Sequence, residues 1–199
     1  MPIESRPRKQ VVNALAHAGW HPQARHISSP NSDARPPGIR VVLLVIHNIS
    51  LPPGRFSGPA IEQLFTNRLD ADAHPYFRGI AGLRVSAHFL IRRNGELLQF
   101  VGCTERAWHA GVSTWRGRPR CNDFSVGIEV EGTDTRPYTS RQYTRLARLT
   151  RALVAAFPDI AGVAGHDEIA PGRKTDPGCS FDWRRLVHES GVPPGMREL

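Results

Sequence analysis

An unbroken apolar run covers residues 41–46 and reads Val-Val-Leu-Leu-Val-Ile. Six consecutive apolar residues, most of them β-branched, are typical of a strand that is buried on both faces. His47 follows directly, and residues 51–54, Leu-Pro-Pro-Gly, favour a loop. The pattern therefore predicts a central strand whose end carries His47 into an open site.

A second strand is predicted by strict alternation over residues 124–131. Side chains on a strand point alternately to its two faces, so every second residue shares a face. The apolar face holds Phe124, Val126, Ile128 and Val130. The other face holds Ser125, Gly127, Glu129 and Glu131. The strand is thus expected to place two carboxylates on one side of the sheet, although Glu129 could also be a surface carboxylate of a half-exposed strand.

Shorter patterns complete the inventory of elements. Asn94-Gly95 is a strong hairpin signal, and Thr139 with Gln142 has the spacing of a capping box at a helix start. We predict a loose tail at 1–10, loops at 21–39 and 103–121, helices at 58–69, 139–157 and 181–190, strands at 86–93 and 96–101, and a short strand before His166.

These elements predict an α/β fold. We expect one single-layered α/β sandwich, a central mixed or mostly antiparallel sheet flanked by two or three helices, because 199 residues suit a single domain. We divide the chain into a basic N-terminal extension (1–18), the domain itself (19–190) and a C-terminal tail (191–199).

The chain carries a formal net charge of +8, almost entirely from arginine, with lysine only at Lys9 and Lys174. A basic surface attracts anions such as nucleic acid, acidic lipid or acidic small molecules. No basic helix, aromatic-interleaved patch or zinc-finger spacing is present, so we expect no nucleic-acid partner. An arginine bias can also reflect a GC-rich genome.

Three widely spaced cysteines, Cys103, Cys121 and Cys179, are poor material for a disulfide framework and indicate reduced thiols. The apolar stretch after the basic N-terminus is short, and no run approaches membrane-spanning length. We therefore expect a cytoplasmic protein that has no membrane partner and acts as a monomer.

A zinc site is the strongest chemical candidate in this sequence. A zinc hydrolase needs three protein ligands and an open position for water, and the helical His-Glu-x-x-His motif is absent. The candidate ligands therefore come from separate elements: His47 at its strand end, His166 after a glycine, and Asp176 before a proline. Each has a structural alternative, since a histidine can serve in hydrogen bonding and Asp176 in a turn.

Several segments, taken together and in order, resemble one known family. They are His47-Asn-Ile-Ser-Leu-Pro-Pro-Gly54, Leu83-Arg-Val-Ser-Ala-His88, Arg106-Ala-Trp-His-Ala-Gly111, Cys121-Asn-Asp-Phe-Ser-Val-Gly-Ile-Glu129 with Glu131-Gly-Thr-Asp134, and Gly165-His166 followed by Ala170-Pro-Gly-Arg-Lys-Thr-Asp-Pro-Gly178. The resemblance, over about residues 19–183, is to the AmpD family of cytoplasmic 1,6-anhydro-N-acetylmuramyl-L-alanine amidases, which have the fold of phage-lysozyme-type amidases and peptidoglycan recognition proteins.

The resemblance implies one zinc ion per chain, a mixed sheet flanked by helices, and an anhydromuropeptide substrate in peptidoglycan recycling. It assigns zinc ligation to His47, His166 and Asp176, and catalysis to Glu129 and Lys174. Asn48, Arg84 and Arg120 match positions near the substrate, where arginines would suit the carboxylates of a stem peptide. The matched motifs also contain His88 and His109, to which we assign no chemistry.

Alternative interpretations stay open from the sequence. A protein of the same fold could bind peptidoglycan without zinc, and a basic protein could bind nucleic acid with strong salt dependence. Glu131 competes with Glu129 for the role of general base, because only one of two residues about 6–7 Å apart can serve one water. Lys174 could merely pair with Asp176 or Asp167, and Cys179 is a softer potential ligand.

Overall fold

The structure is a computed structural model and describes residues 5–197. Its strands are β1 Arg25–His26, β2 Ser32–Ala34, β3 Leu43–Ile49, β4 Phe89–Ile91, β5 Leu97–Gln99, β6 Glu105–Ala107, β7 Thr114–Trp115, β8 Arg118–Pro119, β9 Ser125–Glu131 and β10 Gly162–Gly165. Its α-helices are α1 Ser5–Ala18, α2 Ala60–Phe65, α3 Ser140–Ala156, α4 His166–Ile169 and α5 Trp183–Ser190, with 3-10 turns at Pro75–Gly79, Cys121–Asp123 and Pro194–Met196.

A six-stranded mixed sheet forms the centre, in the order β1-β5-β4-β9-β3-β10. Only β4 and β5 pair antiparallel, through the predicted Asn94-Gly95 hairpin, and the other neighbours run parallel. The expectation of a mixed sheet is confirmed, but mostly antiparallel pairing is wrong. The reason is connection length: a short hairpin joins β4 to β5, whereas the other neighbouring strands are far apart in sequence and are joined by the long crossovers that parallel pairing needs.

Both faces of this sheet are covered. On one face the apolar side of β9 packs with residues of α1, α3 and α5 in one core cluster. On the other, α2 packs against β4 and β5, and the segment before β9 packs against β3 and β10. The fold therefore has helices on both faces rather than a single layer of them, and all seven residues of β9 are buried.

The predicted loose tail is wrong for residues 5–10, which belong to α1; residues 1–4 lie outside the described part. Val11 and Leu15 are four residues apart and bury one stripe of the helix in the core beside α3. The boundary predicted at residue 19 is therefore not a break in the packing. The domain division as a whole stays a prediction.

The other predicted elements are present, most of them with shorter bounds, whereas β3 continues past His47 to Ile49. The capping box between Thr139 and Gln142 starts α3, and Asp182 caps α5. The two predicted loops contain the short strands β1, β2, β6, β7 and β8.

None of the helices among residues 5–197 combines the length and apolarity needed to cross a membrane. Cys103, Cys121 and Cys179 are free thiols.

A buried ion pair ties the end of β9 to its surroundings. Glu131 is fully buried and accepts a hydrogen bond from the Arg92 guanidinium at 2.9 Å. Its oxygens also accept from the backbone N–H groups of Ser57 at 2.6 Å and Arg93 at 3.0 Å. Arg92 in turn binds Glu62 at 2.9 Å. Both oxygens of Glu131 thus accept hydrogen bonds from structural partners, and its charge is compensated by Arg92.

Replacing Glu131 with alanine should lower the free energy of unfolding by about 3–5 kcal/mol, because removing one partner leaves a buried charge uncompensated. Urea denaturation of the purified variant measures the loss. The control is Asp159→Ala, which removes the exposed pair with Arg40 and should cost about 0–1 kcal/mol. Equal losses for the two variants would contradict a structural role for Glu131.

Candidate active site

Three sequence-predicted ligands converge at one edge of the sheet. His47 lies near the end of β3, and His166 begins α4 directly after β10. Since β3 and β10 are adjacent parallel strands that pair Ile46 with Gly165, the two histidines leave the sheet side by side. Asp176 reaches them from the loop after α4. The fold thus brings together residues that are up to 129 positions apart.

The donor atoms of these three residues nearly touch. His47 Nδ1 lies 2.9 Å from His166 Nδ1, and Asp176 Oδ2 lies 3.2 Å and 3.1 Å from these two nitrogens. His166 Nε2 lies 3.2 Å from the Ala110 carbonyl oxygen, which can only accept a hydrogen bond. His166 therefore carries its proton on Nε2 and turns the lone pair of Nδ1 toward the cluster.

The protonation states favoured by the surroundings are those that a metal needs. Burial lowers the pKa of His47 to about 4, against the opposing effect of Asp176. Burial alone would raise the pKa of Asp176, but the close contacts with His166 and His47 outweigh it and hold this pKa well below its usual range. Neutral imidazole and ionised carboxylate are the forms that ligate.

The donor set fits zinc. Two imidazole nitrogens and one carboxylate oxygen match the ligand types of catalytic zinc sites, which keep a fourth position open. Among the described residues, His47, His166 and Asp176 form the cluster that could hold a metal ion. Cys179 is not part of it, since its exposed thiol lies 3.6 Å from the Asp134 carbonyl oxygen.

Glu129 stands beside this cluster because β9 pairs with β3 in the register that sets it opposite His47. Its side chain is buried, and Oε2 has no hydrogen-bond partner among the described residues. Burial, followed by the nearby charge of Asp176, raises the pKa of Glu129 well above its usual range, while Lys174 acts in the opposite direction. A buried, unpaired carboxyl with a raised pKa has the character of a general acid or base.

Lys174 lines the same cleft as Glu129 and the three ligands. None of the ion pairs found in the described part of the chain includes Lys174, so the alternative pairing with Asp176 or Asp167 is absent there. Its backbone N–H is fixed to the Ala170 carbonyl oxygen at 3.1 Å. The ammonium is thus an exposed cation at the mouth of the site.

The three predicted substrate-binding residues lie at different places. Asn48 lines the cleft and donates its amide to Asp134 at 2.8 Å and to the Pro177 carbonyl at 3.1 Å. Arg84 is exposed between Leu83 and Val85, which line the cleft. Arg120 is not among the cleft-lining residues and pairs with Asp123 at 3.1 Å. Substrate binding by these residues stays a prediction.

The cleft around the site has a volume of about 650 Å³. Its polar floor adjoins an apolar wall that the sequence interpretation did not assign: Leu51, Leu64, Phe65, Tyr76, Ile80, Leu83, Val85 and Trp108. His109 also lines it, and its place in a matched Trp-His-Ala-Gly segment was the available signal. An open cleft of this size suits a ligand with both polar and apolar parts.

Comparison with known proteins agrees with this geometry. Residues 37–179 match the family model described as N-acetylmuramoyl-L-alanine amidase. The 1,6-anhydro-N-acetylmuramyl-L-alanine amidase AmpD of Citrobacter freundii is 60% identical over 173 residues, which are 86% of this chain and 92% of that protein. AmpD of Escherichia coli strain K12 is 59% identical over 173 residues, 86% of this chain and 94% of its own.

The solved structures show the same similarity. The crystal structure of a selenomethionine derivative of AmpD superimposes with a TM-score of 0.85 at 59% identity, covering 86% of this chain and 96% of that chain. The resemblance read from the motifs, and with it the α/β fold with a mixed central sheet, is confirmed. This chain belongs to the N-acetylmuramoyl-L-alanine amidase family.

Proposed function

We propose that this chain is a zinc-dependent amidase that hydrolyses the bond between 1,6-anhydro-N-acetylmuramic acid and the L-alanine of a stem peptide, in peptidoglycan recycling. The observation that carries the proposal is the site itself. Three lone-pair donors converge on one point, and a buried, unpaired carboxyl faces the same cleft. The AmpD relatives are named as amidases, and a metal-bound water with a carboxylate as general base is a combination that can hydrolyse an amide.

Each part of the site has a distinct task in this hydrolysis. A zinc ion held by His47, His166 and Asp176 would lower the pKa of water and polarise the amide carbonyl. Glu129 takes the proton from the attacking water and delivers it to the departing amine. Lys174 presents its ammonium to the negative charge that develops on the carbonyl oxygen.

Substrate recognition is assigned to the rest of the cleft. Asn48, Arg84 and Arg120 are proposed to bind the substrate, the arginines through the carboxylates of the stem peptide. The apolar wall that includes Trp108 can cover the sugar and the alanine methyl group. Residues 19–190 are proposed as the catalytic domain, acting as a monomer in the cytoplasm, where recycled anhydro fragments occur.

The test is mass spectrometry of a purified anhydromuropeptide after incubation with the protein. We expect products that correspond to free stem peptide and anhydro sugar. Treatment with a chelator should abolish their formation, and added zinc should restore it. His166→Ala should stay inactive with zinc present, because one of three ligands is missing.

The matched control substrate carries muramic acid with an intact reducing end. A higher kcat/KM on the anhydro form supports the recycling role, and equal values would contradict the anhydro preference. Binding of the muropeptide without cleavage, by a zinc-free protein, would instead favour a peptidoglycan-binding module.

Glu129→Gln should retain zinc and fold but lose about 10²–10⁴-fold in kcat, the contribution of a general base. The amide keeps the shape of the side chain while it removes the basic oxygen. Steady-state kinetics and metal analysis on the same sample measure both effects. Full activity of Glu129→Gln would show that another group takes the proton.

Lys174→Met should lower kcat by about 10²–10³-fold and leave KM little changed, because its cation meets charge that develops only in the transition state. Methionine keeps the length and apolar stem of lysine. Zinc content is measured in parallel, since loss of zinc would mean that Lys174 orients Asp176 instead. Unchanged kcat with zinc intact would contradict any catalytic role.

A further inference from the structure

His109 contacts His47 on the side of the imidazole ring that faces away from the other candidate ligands. Its Nδ1 lies 2.9 Å from His47 Nε2, the ring nitrogen that points away from the donor cluster. On its other side, His109 Nε2 lies 3.1 Å from the Ser125 hydroxyl. That hydroxyl donates to the Cys121 carbonyl oxygen at 2.6 Å. The four groups form a continuous hydrogen-bonded chain from the cluster into the protein interior.

The direction of this chain is fixed at its far end. A carbonyl oxygen can only accept, so the Ser125 proton points to Cys121 and the Ser125 oxygen is left to accept from His109 Nε2. His109 then carries its proton on Nε2 and has a lone pair on Nδ1. This lone pair accepts the Nε2 proton of His47, and His47 is left with a lone pair on Nδ1, the atom that faces His166 and Asp176.

The backbone of β9 makes room for the His109 ring. A Cβ atom added to Gly127 would lie 2.4 Å from His109 Cγ, closer than any real contact of this kind. Gly127 pairs with Val45 on β3, two residues before the pairing of Glu129 with His47. A side chain larger than glycine at this position would displace the ring from the place where its Nδ1 reaches His47.

The same short segment also holds the second histidine ligand. The carbonyl oxygen of Ala110 accepts from His166 Nε2 at 3.2 Å and from the Arg173 guanidinium at 2.7 Å. The segment is clamped by Asn122, whose Oδ1 accepts from the backbone N–H groups of His109 at 3.1 Å and Ala110 at 2.7 Å. One dipeptide therefore orients both imidazoles.

We propose that His109 is a positioning residue for the metal site: it fixes the tautomer and ring orientation of His47 so that Nδ1 presents its lone pair to zinc. This inference rests on the proposed function. Outer hydrogen-bond partners of ligand histidines typically change metal affinity by 10–100-fold when they are removed. If His109 only filled space, an apolar side chain of similar size could replace it without this loss of zinc affinity.

The test is zinc affinity by competition with a chromophoric chelator, on the full-length chain and two variants. His109→Leu fills the space without an acceptor, and the zinc dissociation constant should rise by about 10–100-fold. His109→Asn places an oxygen acceptor where Nδ1 stood and should recover most of the affinity. The absorption spectrum of the cobalt-substituted protein should change in His109→Leu and resemble wild type in His109→Asn.

Two controls separate positioning from general damage. His21→Leu removes a buried histidine whose Nδ1 accepts a hydrogen bond from the Gln23 backbone N–H at 3.1 Å, and it should leave zinc affinity unchanged. Gly127→Ala displaces the His109 ring without removing a polar group. In the comparison variant, Gly162→Ala, the added Cβ on β10 would lie 2.3 Å from the Trp115 ring instead. Gly127→Ala should weaken zinc binding about as much as His109→Leu does, whereas Gly162→Ala should not.

The outcomes are distinguishable. A wild-type chain that binds no zinc would overturn the proposed metal site and this inference together. Wild-type zinc binding with equal affinity in His109→Leu and His109→Asn would overturn the inference alone. Equal weakening by Gly127→Ala and Gly162→Ala would also overturn it, because the effect would then follow from strain in the sheet.

Discussion

The parallel pairing of β3 with β9 is the constraint on which the rest of the structure depends. Its register sets His47 opposite Glu129 and Ile49 opposite Glu131. Side chains alternate along a strand, so a slip of one residue would turn Glu129 away from the metal-ligand cluster and Val130 toward it. Because both faces of this sheet are buried, the slip would also place apolar and charged groups in the wrong interiors. Packing energy and site geometry therefore select the same register.

Two buried carboxylates two residues apart show how the protein separates stability from chemistry. Glu131 receives the Arg92 guanidinium and two backbone N–H groups, so its charge is compensated. Glu129 receives no such partner at Oε2, and its pKa is raised by burial. Leaving a carboxyl oxygen unsatisfied in the interior costs free energy, and the structure bears this cost at the residue that we propose as the general base. Both residues lie on the same face of β9, so the alternating sequence pattern cannot distinguish between them.

What the sequence could predict follows from how local each signal is. The strand around His47, the Asn94-Gly95 hairpin and the capping box at Thr139 depend on near neighbours, and all are present. The ligand set came from resemblance to a family, because residues up to 129 positions apart leave no local pattern. Comparison of motifs with a known family works segment by segment, so it can assign the ligands without knowledge of how the chain folds between them.

The features that were missed depend on tertiary partners. Helix α1 is stabilised by Val11 and Leu15 against α3, and a basic, proline-containing start gave no sign of that surface. Parallel pairing depends on crossovers whose landing positions a sequence does not specify. The role of Glu131 depends on Arg92, 39 residues earlier, and the role proposed for His109 depends on the close approach of its ring to Gly127. In each case the sequence shows which residues are there, but it does not show which other residues they contact.

The pairing of β3 with both β9 and β10, together with the loop after α4, brings two histidines, a carboxylate ligand and an unpaired carboxyl to one point. Crystallographic anomalous scattering at the zinc edge tests it most directly. The account predicts a single zinc peak about 2.0–2.2 Å from His47 Nδ1, His166 Nδ1 and an oxygen of Asp176, with Glu129 facing the remaining open position. A peak bound through the Nε2 atoms or at Cys179, or a Glu129 side chain turned away from the zinc, would contradict it.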